Sequence, residues 1–228
     1  MKTIWLAGAT GLVGQQCLEL LLADPQVGTV VAVGRRAPKR VHPKLRFLAT
    51  ERFDDLTAAL QNERPDAVLC ALGTTIKKAG SQEAFREVDH LYPLRLAEAA
   101  KAAGVGVFGI VTAVGASAQS RVFYNRVKGE LEQALAALRL PTVHALHPSL
   151  LLGHRAESRP AERLGILFAG ILRAVCVGPW RKYRPIRAEV VARVLAQAAH
   201  DARPGWHVYE GAALEEVARS GKAGVGSE

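Results

Sequence analysis

Two residues with complementary chemistry stand four positions apart in the segment YNRVKGE: Tyr124 and Lys128. This spacing places both side chains on one face of a helix. A phenol can exchange a proton with a carbonyl or alcohol oxygen, and an ammonium group beside it lowers the phenol pKa and can bind ribose hydroxyls. The pair therefore indicates general acid–base chemistry, although the same spacing also occurs by chance on exposed helices.

The amino-terminal segment MKTIWLAGATGLVG combines an apolar run with glycines at Gly8, Gly11 and Gly14. A secretory signal needs an unbroken apolar run and a small-residue cleavage site, and these glycines interrupt the run too early. A strand, a glycine turn and a helix that begins near Leu12 explain the segment better. At such a junction the backbone can approach a pyrophosphate that rests on the helix amino terminus. The pattern predicts a dinucleotide site, with an ordinary glycine-rich turn as the alternative.

The next predicted strand, TVVAV, is followed by Arg35 and Arg36 and by no acidic residue. A dinucleotide with a free ribose 2'-hydroxyl is usually held at this position by Asp or Glu, whereas a 2'-phosphate needs a cation. The arginines therefore favour NADP(H) over NAD(H). A solvated pair of arginines is the alternative explanation.

Apolar runs alternate with segments of helical periodicity, which is typical of parallel strands joined by crossover helices. The predicted strands are 3–7, 29–33, 45–49, 67–71, 107–111 and 142–146. The predicted helices between them are 12–23, 54–60, 81–103 and 121–138. This order predicts an α/β fold of the Rossmann type, a doubly wound parallel sheet.

After Gly153 the alternation of apolar runs and helical segments becomes less regular. Residues 154–228 are predicted to form a small, mostly helical cap on the substrate side of a single domain spanning 1–228. The predicted parts of this segment are an apolar helix at 164–178, a basic turn at 181–187, a helix at 188–200 and a short strand at 206–209. The apolar helix is interrupted by Arg173 and is shorter than the ~20 residues of a membrane span, so no membrane insertion is expected. It is predicted to be core with one edge toward the pocket. The basic turn is consistent with an acidic substrate and equally with a solvated loop.

The chain has three cysteines that are far apart and in no metal-ligand spacing: Cys17, Cys70 and Cys176. Neither disulfides nor a zinc site is therefore expected. His144, His147 and His154 are close in sequence, but the first two point to opposite faces of a strand, so no metal site is expected. With unpaired thiols and no targeting segment, the cytoplasm is the predicted compartment.

The formal net charge is +9, from 30 basic and 21 acidic residues. Basic residues without any acid concentrate at 35–46 and again at 173–187. Two local patches indicate anionic ligands rather than a uniformly basic nucleic-acid surface. Nucleic-acid binding is not expected, because the chain lacks a binding motif and has only 6% aromatic residues for base stacking.

Several segments together resemble the atypical short-chain dehydrogenase/reductases, in particular the Tat-interacting-protein-like branch. These segments cover nearly all of residues 1–160 and read GATGLVG, GRR, LGTTIKKAGSQEAFREVD, TAVGA, FYNRVKGELE and HPSLLLGHRAESRP. The resemblance implies a Rossmann-type domain with bound NADP(H), in which Tyr124 and Lys128 match the catalytic pair. The implied cofactor-binding residues fall into four groups. The pyrophosphate is lined by Gly8, Thr10, Gly11, Leu12, Val13 and Gly14, and the 2'-phosphate is bound by Arg35 and Arg36. The adenosine lies beside Leu72, Gly73, Thr74 and Thr75, and the nicotinamide ribose is bound by Lys128.

The chain departs from this family at two places. Members with full activity commonly have paired serines after the fifth strand, the second of which orients the substrate carbonyl, and the residues here are Thr112 and Ala113. Thr112 is predicted to supply the catalytic hydroxyl, with Ser117 as the other candidate. The family's Arg-Pro after the sixth strand is His147-Pro148.

The predicted function is an NADP(H)-dependent oxidoreductase that moves a hydride to or from a small carbonyl or alcohol substrate, with Tyr124 as general acid/base. The alternative is an NADP(H)-binding redox-sensing or regulatory protein with little or no turnover. A missing hydroxyl donor costs on the order of a hundredfold in rate without abolishing cofactor binding. Asp89 is predicted to be a helix-surface or capping residue, and Glu130 and Glu132 to lie on a solvated face.

Overall fold

The computed structural model describes residues 1–54, 56–152 and 184–221 of the 228-residue chain. The strands are β1 Lys2–Ala7, β2 Val27–Gly34, β3 Leu45–Ala49, β4 Ala67–Cys70, β5 Val107–Val111, β6 Thr142–His147, β7 Leu151–Leu152, β8 Ile186–Arg187 and β9 Gly205–Glu210. The helices are α1 Leu12–Ala23, α2 Leu56–Glu63, α3 Ile76–Ala79, α4 Gln82–Arg86, α5 Tyr92–Ala102, α6 Phe123–Leu138, α7 Ala188–Ala198 and α8 Ala212–Ser220. A π-helical segment, Glu87–Leu91, joins α4 to α5.

Seven parallel strands form the main sheet of the described chain, in the order β3-β2-β1-β4-β5-β6-β9. The first strand lies inside the sheet, and the chain winds outward first to one side of it and then to the other. This doubly wound topology changes direction between β1 and β4, where the loops diverge and leave a crevice at the carboxyl ends of the strands. The predicted fold class is confirmed.

Alternate residues of β1 enter two separate hydrophobic cores, one on each face of the sheet. Ile4 and Leu6 pack with α1, α7 and α8, while Trp5 and Ala7 pack with α2, α5 and α6. Strands that helices cover on both faces need apolar residues at nearly every position. This requirement explains why apolar runs in the sequence predicted the strands closely.

The six strands predicted between residues 3 and 146 agree with the observed strands to within one or two residues at each end. The predicted helix 81–103 is present, but the π segment interrupts it. The short helix α3 and the β7–β8 ribbon were not predicted, because elements of four and two residues are too short to show a periodicity.

The described part of the carboxyl-terminal segment is mostly helical, as predicted, but it also extends the main sheet. β9 pairs in parallel with β6, with His147 opposite Glu210, and α7 packs against α1. This strand was predicted to lie in a cap over the strand ends. Its pairing instead satisfies backbone groups on the edge of β6, a contact that no local pattern reveals.

Several predictions concern residues outside the described part of the chain: the apolar helix 164–178, Cys176, His154 and the first residues of the basic turn, 181–183. Cys17 and Cys70 are free and buried. Among the described helices none is long and apolar enough to cross a membrane. The same described residues contain no group of three or more His, Cys, Asp or Glu side chains that could hold a metal ion.

A buried histidine connects the last two strands of the sheet. His144 on β6 places Nδ1 2.9 Å from the hydroxyl oxygen of Tyr209 on β9, and Nε2 2.8 Å from the carbonyl oxygen of Asp201. Nε2 must carry the hydrogen because a carbonyl oxygen can only accept, so Nδ1 accepts from the phenol and the neutral ring is satisfied. Burial lowers the pKa of His144, although its contacts with Asp201 oppose that shift.

Candidate active site

The glycine turn after β1 is packed so closely that two of its glycines admit no side chain. Gly8 has a φ of +82°, and a Cβ there would lie 2.5 Å from the carbonyl oxygen of Ala71. A Cβ on Gly14 would lie 2.0 Å from the carbonyl oxygen of Gly8. Both distances are far below van der Waals contact. The turn, the start of α1 and the loop after β4 therefore approach one another backbone to backbone.

The amino terminus of α1 presents uncapped backbone N–H groups. Gly11 is the N-cap residue and makes no side-chain capping bond, and the first turn contains no acidic residue. Such N–H groups, together with the helix dipole, bind anions. The residues predicted to line the pyrophosphate, Thr10 to Gly14, all lie at this turn, and Thr10 is exposed. The turn fits a dinucleotide diphosphate both in backbone space and in charge.

Arg35 and Arg36 are exposed immediately after β2. Within the described residues neither side chain takes part in an ion pair or hydrogen bond, whereas Arg40 in the same basic stretch pairs with Glu19 at 3.5 Å. Two free guanidinium groups therefore lie beside the crevice on the β2 side. This is the position at which dinucleotide folds bind the adenosine ribose.

The Tyr92 phenol at the start of α5 lies within electrostatic range of two arginines. Burial and Glu87 raise the pKa of Tyr92, while Arg35 and Arg52 oppose that rise. Both guanidinium groups therefore act on the same phenol. Arg52 also forms an ion pair, in which Nη2 lies 3.9 Å from Oε1 of Glu87.

α6 carries both Tyr124 and Lys128, and the two side chains differ in exposure. Tyr124 is half-buried, and its ring packs against that of Phe85 with the centroids 5.7 Å apart. Lys128 is only 2% exposed. Burial raises the pKa of Tyr124, the charge of Lys128 opposes this rise, and Asp89 adds to it. The phenol therefore stays protonated at neutral pH and can donate a proton.

Asp89 is buried, so its prediction as a surface or capping residue is wrong. It is 1% exposed, and its Oδ1 lies 2.8 Å from Nζ of Lys128. Its Oδ2 accepts a hydrogen bond from the backbone N–H of Thr74 at 2.8 Å. Although burial by itself lowers the pKa of Lys128, its contacts, first among them the ion pair with Asp89, outweigh burial and raise it. The buried lysine is therefore charged.

The spacing of buried residues around Asp89 already indicates this ion pair, although it was not predicted from the sequence. Phe85, Asp89, Tyr92 and Leu96 follow one another at intervals of four, three and four residues, and all are buried. A carboxylate within such a stripe must have a partner, because an unpaired buried charge is very costly. The pattern could thus have predicted that Asp89 has a basic partner, but not that the partner is Lys128.

The loop predicted to pass the adenosine, residues 72–75, is joined to the same ion pair. Thr74 donates its N–H to Asp89, and the Cβ position of Gly73 lies 3.6 Å from Oδ1 of that carboxylate. The hydroxyl of Thr75 caps α3 by accepting from the N–H of Lys78. One carboxylate therefore fixes both this loop and the ammonium group of Lys128.

The hydroxyl of Thr112 is engaged elsewhere, which corrects its predicted role as the catalytic hydroxyl. Its Oγ1 donates to Oε1 of Glu132 at 2.5 Å, and the residue is 3% exposed. A hydroxyl has one proton, so Thr112 in this arrangement cannot also donate to a substrate carbonyl. The same Oε1 lies 2.8 Å from Nε2 of His147. Glu132 therefore does not lie on a solvated face, and Glu130 is also engaged, in a two-bond ion pair with Arg86.

Ser117, the other candidate hydroxyl, lies in the loop that binds the start of α6. Its backbone N–H donates to the carbonyl oxygen of Asn125 at 3.0 Å, and a Cβ on Gly129 would lie 2.1 Å from its carbonyl carbon. Its Oγ donates to Oε1 of Gln119, and the residue is half-buried. Ser117 is therefore more exposed than Thr112, and its loop packs against the helix that carries Tyr124.

A glycine turn at the crevice of a doubly wound sheet, with a Tyr–Lys pair on the helix after β5, defines a Rossmann-type protein of the NAD(P)-binding class. The NAD(P)H-binding family matches residues 8–143. Protein FMP52-1, mitochondrial, of Scheffersomyces stipitis is 34% identical over 221 residues, which cover 93% of this chain and 97% of that protein. Protein fmp52, mitochondrial, of Emericella nidulans is 35% identical over 178 residues, which cover 75% of this chain and 76% of that protein. The chain therefore belongs to the NAD(P)H-binding family, among the atypical short-chain dehydrogenase/reductases that its motifs resemble.

Two solved structures show the same architecture at low sequence identity. The enzyme WbmH of Bordetella bronchiseptica, solved in complex with NAD+, has a TM-score of 0.67 at 19% identity, covering 96% of this chain and 80% of that one. UDP-glucose 4-epimerase of Thermotoga maritima has a TM-score of 0.67 at 16% identity, covering 96% of this chain and 82% of that one. At these identities the likeness concerns the fold alone, and it agrees with the Rossmann-type sheet.

The predicted cytoplasmic location is contradicted by these comparisons. The relatives from Scheffersomyces stipitis, Emericella nidulans and Aspergillus fumigatus are all named as mitochondrial proteins. The prediction rested on unpaired cysteines and on the lack of a recognised targeting segment. Free thiols indicate a reducing environment, but they do not identify the compartment that provides it.

Proposed function

We propose that this chain is an NADP(H)-dependent oxidoreductase that transfers a hydride between the cofactor and a small carbonyl or alcohol substrate. The observation that carries the proposal is the half-buried Tyr124 phenol one helical turn from the buried, charged Lys128. An ammonium group beside a phenol that must release its proton is suited to acid–base catalysis at a carbonyl. Membership of the NAD(P)H-binding family supports the choice of cofactor class.

The cofactor would lie across the crevice between β1 and β4. The N–H groups at the start of α1 would bind its diphosphate, and Lys128 would bind the hydroxyls of the nicotinamide ribose. Arg35 would bind the 2'-phosphate, supported by Arg36. Free cations without an acid at the end of β2 support NADP(H) as the preferred dinucleotide.

In this proposal the bound cofactor supplies or accepts the hydride at nicotinamide C4. During reduction Tyr124 donates its proton to the carbonyl oxygen, and during oxidation it takes a proton from the alcohol. Because burial raises the pKa of Tyr124, the phenol is ready as the acid at neutral pH, which favours the reducing direction. The positive charge of Lys128 stabilises the phenolate that remains after the transfer.

The substitution Tyr124→Phe tests this assignment. It removes the hydroxyl and keeps the ring that packs on Phe85, so the Kd for NADPH should stay within about twofold of wild type. Turnover should fall by about a hundredfold or more, because general acid catalysis contributes at least that much. Calorimetry would give the Kd, and NADPH consumption with a panel of small aldehydes and ketones would give the rate.

Tyr209→Phe provides the matched control. It also removes a tyrosine hydroxyl, but from Tyr209 on β9, which contacts His144 on β6. This variant should keep the turnover of wild type. The role of Tyr124 would be refuted if Tyr124→Phe lost binding and turnover to the same extent, or lost neither.

A second candidate function is an NADP(H)-binding sensor with little or no turnover. The contacts of Thr112 favour it, because its only hydroxyl proton goes to Glu132 and the next residue, Ala113, has no hydroxyl. The same carbonyl panel separates the two functions. Tight NADPH binding without consumption, even at high enzyme concentration, would favour the sensor.

A further inference from the structure

Asp89 contacts two parts of the proposed site at once. Its Oδ1 lies 2.8 Å from Nζ of Lys128, and its Oδ2 accepts the N–H of Thr74 at 2.8 Å. We propose that Asp89 is a positioning residue that holds Lys128 against loop 72–75 and supplies the negative charge that keeps the buried ammonium group protonated. This inference rests on the proposed function, because that function assigns Lys128 to the nicotinamide ribose.

The charge of Lys128 depends on the groups that face it from three elements. These are Asp89 from the π segment, Tyr124 from α6 and Cys70 from β4. Burial raises the pKa of Tyr124 and raises the pKa of Cys70 to about 11, so both groups are neutral at neutral pH. Of the three, Asp89 is the group that carries a negative charge. Without this charge, burial would favour the neutral amine of Lys128.

The geometry requires a carboxylate at this position, because both of its oxygens accept hydrogen bonds. An asparagine side chain has one oxygen and one NH2 group. In Asp89→Asn, either the ammonium group of Lys128 or the N–H of Thr74 would therefore face another donor. Asp89→Glu keeps the charge and both acceptors and displaces them by one methylene.

Asp89→Asn should make NADPH binding dependent on pH in the neutral to alkaline range. Without the carboxylate the pKa of Lys128 falls, so the ammonium group is lost as the pH rises through that lower value. We expect the Kd for NADPH of this variant to increase about tenfold or more between about pH 6 and pH 9, while that of wild type changes much less. Fluorescence titration of NADPH across this range measures the effect.

Two further variants serve as controls. One restores the negative charge at residue 89, and the other removes an acidic side chain outside the proposed site. Asp89→Glu should restore most of the pH-independent binding, because it restores the negative charge. Glu130→Gln removes an acid on α6 that forms an ion pair with Arg86 and should behave like wild type. If Asp89→Asn binds NADPH as wild type does at every pH, the proposal is overturned.

A second measurement decides the question if Asp89→Asn does not fold well enough to bind cofactor. The double variant Asp89→Asn/Lys128→Met removes both charges of the buried pair, so it has no uncompensated charge. It should unfold at a higher urea concentration than Asp89→Asn. A double variant no more stable than the single variant would show that Asp89 is not the counter-charge of Lys128.

These readouts do not depend on turnover, so the two hypotheses can fail separately. A protein that shows the expected pH dependence in Asp89→Asn but reduces no carbonyl would contradict the proposed oxidoreductase and leave the role of Asp89 intact. If Tyr124→Phe loses turnover while Asp89→Asn binds NADPH as wild type does at every pH, the result would support the proposed oxidoreductase and contradict the role of Asp89. If wild type bound no NADPH, the proposed function would fail, and the stability comparison would still test the ion pair.

Discussion

Tyr124, Lys128 and Asp89 are three titratable side chains whose protonation states depend on one another. Burial alone would keep the phenol protonated and would discharge the amine. A full positive charge on a lysine that is 2% exposed is possible because a carboxylate lies 2.8 Å away. The acid–base properties of the site therefore follow from contacts between α6 and the π segment and not from either residue by itself.

The role of Thr112 can be tested with a substitution of similar shape. Thr112→Val removes the hydroxyl that donates to Glu132, so a partly buried carboxylate loses a hydrogen bond and the free energy of unfolding should fall by about 1–3 kcal/mol. The turnover of the folded protein should stay within about threefold of wild type, because the Thr112 hydroxyl donates its proton to Glu132. Urea denaturation and the NADPH consumption assay measure the two effects.

Thr112→Ser is the control for this experiment because it retains a hydroxyl at the same position. Its stability and rate should both stay close to those of wild type. A loss of about a hundredfold in the rate of Thr112→Val, with stability unchanged, would instead identify Thr112 as the donor to the substrate carbonyl.

At the scale of elements, the pairing of β6 with β9 depends on polar groups buried between the strands and the loop before β9. His144 accepts from the phenol of Tyr209 and donates to the carbonyl oxygen of Asp201. Its ring also stacks on that of His207, with the centroids 5.0 Å apart. Protonation of His144 would leave Nδ1 with a hydrogen that points at another donor, so the neutral ring is required for this arrangement.

The stability of this strand pair should therefore depend on pH. Burial lowers the pKa of folded His144 below its usual value of 6.5, so between 6.5 and the lower folded value the unfolded chain binds more protons than the native protein. The unfolding free energy should thus fall as the pH decreases through that window, by at most about 1.4 kcal/mol per pH unit from this residue. Above pH 6.5 the residue should have no such effect.

Urea denaturation of wild type and His144→Gln at a series of pH values isolates this contribution from that of other groups. The difference in unfolding free energy between the two proteins should shrink as the pH falls below 6.5. Parallel profiles for the two proteins across the whole range would contradict a buried neutral His144.

At the scale of the whole molecule, the proposed cofactor should stabilise the fold by binding only to the native state. At an NADPH concentration of a hundred times Kd this linkage amounts to about 2.7 kcal/mol. For a chain of this length that corresponds to a rise in Tm of roughly 5–10 °C. NADH at the same concentration should give a smaller rise, because it lacks the phosphate that Arg35 would bind.

Thermal unfolding of two variants connects this difference to Arg35. Arg35→Ala should bring the NADPH shift close to the NADH shift. Arg40→Ala, a change in the same basic stretch at a residue that pairs with Glu19, should preserve the difference. Equal shifts by both dinucleotides in wild type would contradict the proposed preference for NADP(H).

Features that arise from short-range patterns could be predicted from the sequence. Strands buried on both faces appear as apolar runs, and for this reason the predicted strands match β1, β2, β4, β5 and β6 closely. The glycine spacing fixed the turn at Gly8 and Gly14, because backbone contact there excludes any side chain. The four-residue spacing placed Tyr124 and Lys128 in one helix, α6.

Which distant residues meet depends on how separate elements pack in the folded protein. The ion pair of Asp89 with Lys128, the bond from Thr112 to Glu132 and the addition of β9 to the sheet join residues 20 or more positions apart. A local pattern can show that a carboxylate falls on a buried stripe, but its partner is chosen by the packing of separate elements. For this reason the Tyr124–Lys128 pair could be predicted from the sequence, while the carboxylate that pairs with Lys128 could not.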